Sequence, residues 1–112
     1  MFRGRKKQDT LQGTLDLLVL TTLKRGPAHG YAIVTHIHSV SNDELRVEEG
    51  SLYPALHRME SAGWITAEWA VTDSNRRARV YSLTRQGRQR LEEEAERWQR
   101  LAKAVTKVLR YA

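Results

Sequence analysis

The chain has 112 residues, no cysteine, and a formal net charge of +6 from 19 lysines and arginines against 13 aspartates and glutamates. A chain of this length corresponds to about one domain with a modest core. The absence of cysteine excludes a disulfide framework, a thiol nucleophile and a thiolate metal site, and it favours the reducing cytoplasm. The longest apolar run, LDLLVL at 15–20, is short and contains Asp16, so neither a membrane span nor a signal peptide is predicted.

Positive charge is concentrated in two parts of the chain. Residues 1–10 carry four basic side chains against Asp9, and residues 73–90 carry six arginines against Asp73. This balance favours a polyanionic partner such as nucleic acid or an acidic membrane surface. We predict that residues 1–10 form a flexible basic arm. Because this arm has no apolar face, a membrane partner is not expected.

The first half of the chain contains signals for three helices. TLQGTLDLLVLTTL, from Thr10 to Leu23, is apolar on most sides, as in a helix at the centre of a small fold, and KRGP ends it. Apolar residues recur at helical spacing in AHGYAIVTHIHSV, which predicts a second helix. Alternation at 45–47 predicts one short strand. The segment EGSLYPALHRMESAG, which begins at Glu49, forms a third helix that Gly63 ends.

The second half of the chain predicts a β-hairpin and a long helix. WITAEWAV and ARVYSL are rich in aromatic and β-branched residues, and they flank TDSNRR, a loop of turn residues and arginines. We interpret Trp64 and Trp69 as packing in the hairpin core or at the root of the wing. Thr84 can cap a final helix that runs from Arg85 nearly to the C-terminus.

This order of elements predicts a mainly α fold with a small β-hairpin (α+β). Its first five elements are those of a winged helix-turn-helix, and a long C-terminal helix follows them. We assign residues 1–10 to the basic arm, 11–83 to the winged helix-turn-helix domain and 84–112 to a C-terminal dimerisation helix.

The third helix is a candidate DNA-recognition helix. In a helix-turn-helix, the second helix of the motif faces base edges in the major groove while its apolar side packs on the first. Proline is compatible with the first turn of such a helix. An arginine-rich hairpin beside it matches a wing that contacts the DNA backbone or minor groove. The candidate DNA-binding residues are Ser51, Tyr53, Pro54, His57, Arg58, Asn75, Arg76, Arg77 and Arg79.

Several motifs together resemble the PadR family of bacterial transcriptional regulators: LQGTLDLLVLTTL, GPAHGY, EEGSLYPALHRMESAGWI, NRRARVYSLTRQG and a later ERW. The resemblance implies a winged-helix homodimer that binds double-stranded DNA, usually represses its target genes, and leaves DNA when a small molecule or another signal acts on it. On this resemblance Ser51, Tyr53, Pro54 and His57 fall on the recognition-helix motif, and the arginines of 76–79 fall on the wing. The single short C-terminal segment is similar to the smaller PadR subfamily.

A heptad pattern runs along the last helix, independently of the family. Its apolar residues step alternately by four and three over about three repeats, which is typical of a coiled-coil interface. The charge run EEEAER is interpreted as a solvated face. A homodimer places two recognition helices about one DNA turn apart, ~34 Å, on a palindromic site. The predicted interface residues are Leu91, Ala95, Trp98, Ala102, Val105 and Leu109.

Trp98 is the one large aromatic residue of this stripe, and Ala95 and Ala102 flank it. It has two interpretations. One is an ordinary packed anchor of the interface. In the other, two indoles across the dimer axis leave a slot for a small planar aromatic effector. In some PadR-like regulators that resemble this chain, the equivalent tryptophan stacks such ligands.

Other classes of function have weaker signals. The chain contains no GxSxG, glycine-rich phosphate loop or HExxH motif, so an enzyme is not predicted and no cofactor is expected. A metal site is not expected either, because His36 and His38 at i, i+2 point to different sides of a helix. The remaining alternative is a winged helix whose arginines bind an acidic protein partner, and sequence-selective protection of DNA distinguishes it from a DNA-binding regulator.

Overall fold

The computed structural model describes the backbone of residues 3–111 and the side chains of residues 13–111. Four helices pack with one three-stranded antiparallel sheet in this part of the chain. The predicted α+β architecture, with a hairpin and a long final helix, is confirmed. The elements are α1 (Arg3–Lys24), β1 (Ala28–His29), α2 (Gly30–Val40), α3 (Glu49–Ser61), β2 (Ile65–Val71), β3 (Arg77–Leu83) and α4 (Arg85–Arg110).

The first helix begins earlier than the sequence predicts. α1 starts at Arg3 rather than at Thr10, so the backbone of residues 3–10, which are predicted to form the basic arm, is helical. The physical reason is composition, because this segment contains arginine, lysine and glutamine, whose straight side chains favour helix, and it contains no proline. Residues 1 and 2 of the predicted arm lie outside the described residues.

The helix stop after α1 leads directly into the sheet. Gly26 has a φ of 151°, which confirms the predicted stop at the glycine and proline that follow α1. β1 then pairs antiparallel with β3, which lies between β1 and β2. Nδ1 of His29 accepts a hydrogen bond from the amide of Ala32 at 3.2 Å and so caps the start of α2. The strand that adds to the hairpin to make a three-stranded sheet is therefore β1, which precedes α2 in the chain.

The loop between α2 and α3 does not form the strand predicted at 45–47. Its backbone groups find side-chain partners instead of a neighbouring strand. The Val47 amide donates to Nε2 of His38 at 2.7 Å, and the Leu45 amide donates to Oγ of Ser41 at 3.1 Å. These two hydrogen bonds give both backbone amides an acceptor within the loop, and they fix the position of the chain where it enters α3.

The core lies where α1, α2 and α3 meet at the root of the hairpin. The face of α3 that its sequence predicts to be apolar is fully buried there. α1 crosses the centre of this cluster, as expected of a helix that is apolar on most sides. The buried apolar side chains are Val19, Leu20, Leu23, Ile33, Ile37, Val47, Leu52, Ala55, Leu56, Met59, Ile65, Tyr81 and Leu91.

The final helix begins at a side-chain cap and extends beyond the domain. Thr84 accepts a hydrogen bond from the amide of Gly87 at 3.0 Å and donates one to the carbonyl of Gly63 at 2.7 Å, so the predicted cap is confirmed. The molecule is 54 Å along its longest axis and 31 and 29 Å along the others, and a helix of 26 residues rising ~1.5 Å per residue accounts for this elongation. None of the described helices is long and apolar enough to cross a membrane.

Candidate nucleic-acid interface

The third helix presents one face to the core and the opposite face to solvent. Four predicted recognition residues lie on the exposed face: Ser51, Tyr53, Pro54 and His57. Because α3 begins at Glu49, Pro54 occupies the second turn and not the predicted first turn. The Gly50 carbonyl consequently lacks the amide donor usual at i+4. The exposed face keeps the polar and aromatic groups that groove recognition requires.

Arg58 is directed toward the protein. Its guanidinium donates two hydrogen bonds to the carboxylate of Asp16, with N–O distances of 2.7 and 2.9 Å. Asp16 is buried in α1, and hydrogen bonding to its carboxylate raises the pKa of Arg58 above the ordinary arginine value. Arg58 is predicted from the sequence to contact DNA, and in the structure its guanidinium pairs with Asp16 and holds α3 against α1. The sequence contains a signal for this pair, because an aspartate within an apolar helix needs a buried partner.

Tyr53 packs across the start of α2. A β-carbon built on the buried Gly30 would lie 2.6 Å from the hydroxyl oxygen of Tyr53. Glycine at position 30 thus leaves the space that the phenol ring occupies. The ring is 45% exposed, so it can still reach a partner outside the protein. Sequence reasoning missed Gly30, because no local pattern connects two residues so far apart in the chain.

The hairpin turn displays its tip residues to solvent. The amide of Thr72 donates to the carbonyl of Arg76 at 2.8 Å, and the amide of Asn75 donates to the carbonyl of Thr72 at 2.9 Å. Asn75 has a φ of 62°, in the left-handed region that asparagine adopts more readily than most residues. The turn leaves Asn75 and Arg76 exposed, as a wing that contacts DNA requires.

The next two arginines lie on the side of the hairpin that faces α3. Arg77 is exposed, and its guanidinium carbon lies 5.0 Å from the centroid of the Trp69 ring. Arg79 is partly buried and forms an ion pair with Glu60 of α3 at 3.0 Å. Arg79 thus connects the hairpin to α3, and Arg77 keeps its charge at the surface.

A groove of about 490 Å³ separates the exposed face of α3 from the hairpin. Its lining includes Tyr53 and His57 from the helix and Trp69 and Arg77 from the hairpin. Tyr81 also lines the groove, and burial of its phenol raises its pKa above the ordinary tyrosine value. The groove therefore places aromatic rings and a cationic side chain on one side of the protein, a combination that favours binding of a polyanion.

The two hairpin tryptophans have different surroundings. Trp64 packs against the core, and the guanidinium carbon of Arg90 lies 4.7 Å from its ring centroid. This confirms its interpretation as packing at the root of the hairpin. Trp69 is 61% exposed, so the same interpretation is wrong for this residue. The hairpin extends past the core, and an aromatic residue near its tip has no core to enter.

The heptad stripe of α4 divides into a buried part and an exposed part. Leu91 is 6% exposed and belongs to the core of its own domain, so its assignment to the dimer interface is corrected. α4 packs against α1, and Glu94, Trp98 and Leu101 line a groove together with Leu17 of α1. Ala95 and Ala102 are partly buried. The exposed apolar side chains of the later turns are Trp98, Leu101, Val105, Val108 and Leu109.

Trp98 stands between two grooves that run along α1. One groove, of about 210 Å³, is lined by Leu17 and Leu101, and the other, of about 440 Å³, is lined by Ile37 and Val40. The indole contributes to both and is 49% exposed. It is accessible to a partner subunit or to a ligand.

The acidic run of α4 is less solvated than predicted. Glu94 is 8% exposed and lies between Arg90 and Arg97, at 2.8 and 3.1 Å. Glu96 and Arg100 form an i, i+4 pair on the exposed side, at 2.9 Å. Within residues 13–111, no three histidine, aspartate or glutamate side chains form a group that could hold a metal ion. The carboxylates of Glu94 and Glu96 form ion pairs with arginines of the same helix.

A family model and several known proteins are similar to this chain. The model of the transcriptional regulator PadR-like family matches residues 19–93. The transcriptional regulator Rv3488 of Mycobacterium tuberculosis is 41% identical over 66 residues, which are 59% of this chain and 61% of that protein. A 37.1 kDa protein in transposon TN4556 of Streptomyces fradiae is 40% identical over 89 residues, which are 80% of this chain and 24% of that protein.

A solved structure supports the same assignment. The crystal structure of a PadR family transcriptional regulator from Eggerthella lenta is 34% identical, with a TM-score of 0.72, and the match covers 95% of this chain and 90% of that chain. The chain spans less than two thirds of the length of either curated relative.

Proposed function

Because the chain belongs to the PadR-like family of transcriptional regulators, we propose that it acts as a homodimer that binds a palindromic site in double-stranded DNA and represses the adjacent gene. Ser51, Tyr53 and His57 of α3 face the major groove, and Arg76 and Arg77 contact the sugar–phosphate backbone. The observation that carries this proposal is that the exposed face of α3 and the cationic face of the hairpin border one groove. One polyanion can meet both faces at once.

The exposed stripe of α4 supports the homodimer. Five apolar side chains lie exposed along α4 between Trp98 and Leu109. At 100° per residue they fall on one side of the helix, which is the geometry of a coiled-coil seam. A second copy of the helix would remove this surface from water. Twofold pairing also doubles the number of DNA contacts and requires a palindromic site.

We further propose that a small planar aromatic ligand binds beside Trp98 at the dimer interface and releases the protein from DNA. The half-exposed indole between two grooves supports this role, because an aromatic ligand can stack on it. In this proposal Trp98→Leu abolishes ligand-induced release and leaves DNA binding without ligand intact. Release that is unchanged in Trp98→Leu would place the effector elsewhere.

The regulator function is tested by selecting duplexes from a random DNA library with the purified protein. We expect a consensus with twofold symmetry, and an affinity for it that falls steeply with salt because phosphates are neutralised. A reporter gene placed behind that consensus should lose expression when the protein is present. If no consensus is selected, while the protein retains an acidic protein from solution, the alternative of a winged helix that binds an acidic partner is correct.

A further inference from the structure

One face of the hairpin continues past the end of the core. Cross-strand partners share a side of a sheet, and alternate positions along a strand line the same face. The two pairs nearest the root pack against the core, whereas the two nearest the tip lie beside α3. From root to tip, the pairs on this face are Ile65 with Leu83, Ala67 with Tyr81, Trp69 with Arg79, and Val71 with Arg77.

Trp69 is exposed on the core-facing side of β2. Its side chain is 61% exposed, although an indole gains more from burial than most side chains do. The guanidinium carbon of Arg77 lies 5.0 Å from the ring centroid, within the range of a cation–π contact. This contact holds the cation at the edge of the groove that faces α3.

Arg79 lies farther from the Trp69 ring, at 6.0 Å, and unlike Arg77 it has an ion-pair partner. It pairs with Glu60 at 3.0 Å, and its Nε is buried with no hydrogen-bond acceptor among the described residues. Because Glu60 belongs to α3, this pair fixes the spacing between hairpin and helix. No ion pair within the described part of the chain involves Arg77. Arg77 is therefore the arginine of this face that remains available to an anion.

We propose that Trp69 and Arg77 form a single DNA contact. Arg77, held over the indole, binds a phosphate of the strand that flanks α3, and the exposed part of the Trp69 ring packs against the adjoining deoxyribose. Stacking restricts the Arg77 side chain before DNA arrives, so less conformational entropy is lost on binding. The inference rests on the proposed function, because it names a further residue of the same interface.

The test measures the affinity of the selected duplex at several salt concentrations by fluorescence anisotropy of labelled DNA. Trp69→Ala is expected to weaken binding about tenfold, and to reduce the slope of log affinity against log salt by about 1.8, because the dimer loses two phosphate contacts that contribute ~0.9 each. Arg77→Ala should reduce the slope equally. Because the two residues act together, Trp69→Ala should weaken the Arg77→Ala variant by less than it weakens the wild type.

Three further variants serve as controls. Trp69→Phe should retain most of the affinity, because a phenyl ring still supports the cation. Thr66→Ala, on the opposite and exposed face of β2, should bind as the wild type does. Trp69→Leu keeps an apolar side chain and replaces Trp69→Ala if that variant does not fold.

A merely structural role for Trp69 gives a different result. In that case Trp69→Ala lowers the urea midpoint of unfolding and leaves the salt slope unchanged, which overturns the inference. The inference alone also fails if Trp69→Ala binds as the wild type does while Tyr53→Ala and Arg77→Ala bind weakly. If the wild-type protein selects no duplex, the proposed function and the inference fail together.

Discussion

The carboxylate of Asp16 and the guanidinium of Arg58 form a two-point ion pair that joins α1 to α3, with N–O distances of 2.7 and 2.9 Å. The side chain of Asp16 is 9% exposed, and that of Arg58 is 36% exposed. A carboxylate buried to this degree requires its partner. The pair therefore fixes the orientation of α3 against α1, the central helix of the domain.

Arg58→Ala should lower the free energy of unfolding by about 1–3 kcal/mol, because it leaves a buried carboxylate unpaired. This is below the ~3–5 kcal/mol of a fully buried pair, since solvent reaches the guanidinium. The double variant Asp16→Leu with Arg58→Met should recover most of the loss, because no charge is then left alone. Urea unfolding measures the free energy of unfolding of the single and the double variant. A double variant that is less stable than Arg58→Ala would contradict this account.

The loop that enters α3 depends on one histidine acceptor. Nε2 of His38 accepts from the amide of Val47, a residue that is 8% exposed. His38→Ala should lower the free energy of unfolding by about 1–3 kcal/mol, because a buried amide loses its partner. His38→Gln places an amide oxygen near the same position and should recover most of the loss in urea unfolding. Equal instability of the two variants would show that ring packing, not the acceptor, is important.

The cap of the final helix also joins it to the loop after α3. Thr84→Ala should lower the free energy of unfolding by about 1–2 kcal/mol, since the Gly87 amide and the Gly63 carbonyl both lose a partner. Thr84→Ser keeps the hydroxyl and should stay within about 0.5 kcal/mol of the wild type. Thr106→Ala, in the exposed part of α4, is the matched control and should not destabilise. Thermal unfolding distinguishes the three variants.

The proposed dimer makes a prediction about two positions of one helix. Val105→Asp places a carboxylate in the exposed apolar stripe and should convert the dimer to monomer, because the charge cannot be buried unpaired. Lys107→Asp places the same group on the opposite side of α4 and should leave the dimer intact. Sedimentation velocity measures the mass of each variant. A dimer that persists in Val105→Asp would exclude this stripe as the interface.

Periodicity predicts most of the fold of this chain. The apolar spacing of α3, the turn residues between β2 and β3, and the threonine before α4 are local signals, and the structure confirms each of them. The predicted strand at 45–47 is wrong because strand formation depends on a neighbouring strand. In this loop the side chains of His38 and Ser41 supply the partners instead.

The arrangement of the candidate interface is less accessible to sequence reasoning. Arg58 and Arg77 are both arginines near the predicted surface, yet one pairs with Asp16 and the other lies over Trp69. Their different roles depend on contacts between residues distant in the chain, which spacing alone does not reveal. The same holds for Leu91, because the heptad pattern does not show how much of α4 its own domain covers.

The most direct test of the proposed function is a hydroxyl-radical footprint of the wild-type protein and of Tyr53→Ala on the selected duplex. We predict two protected segments related by twofold symmetry, with centres about one helical turn, ~34 Å, apart. Tyr53→Ala should lose both segments while it remains a folded dimer. A single protected segment, or protection that Tyr53→Ala leaves unchanged, would contradict recognition by a dimer through α3.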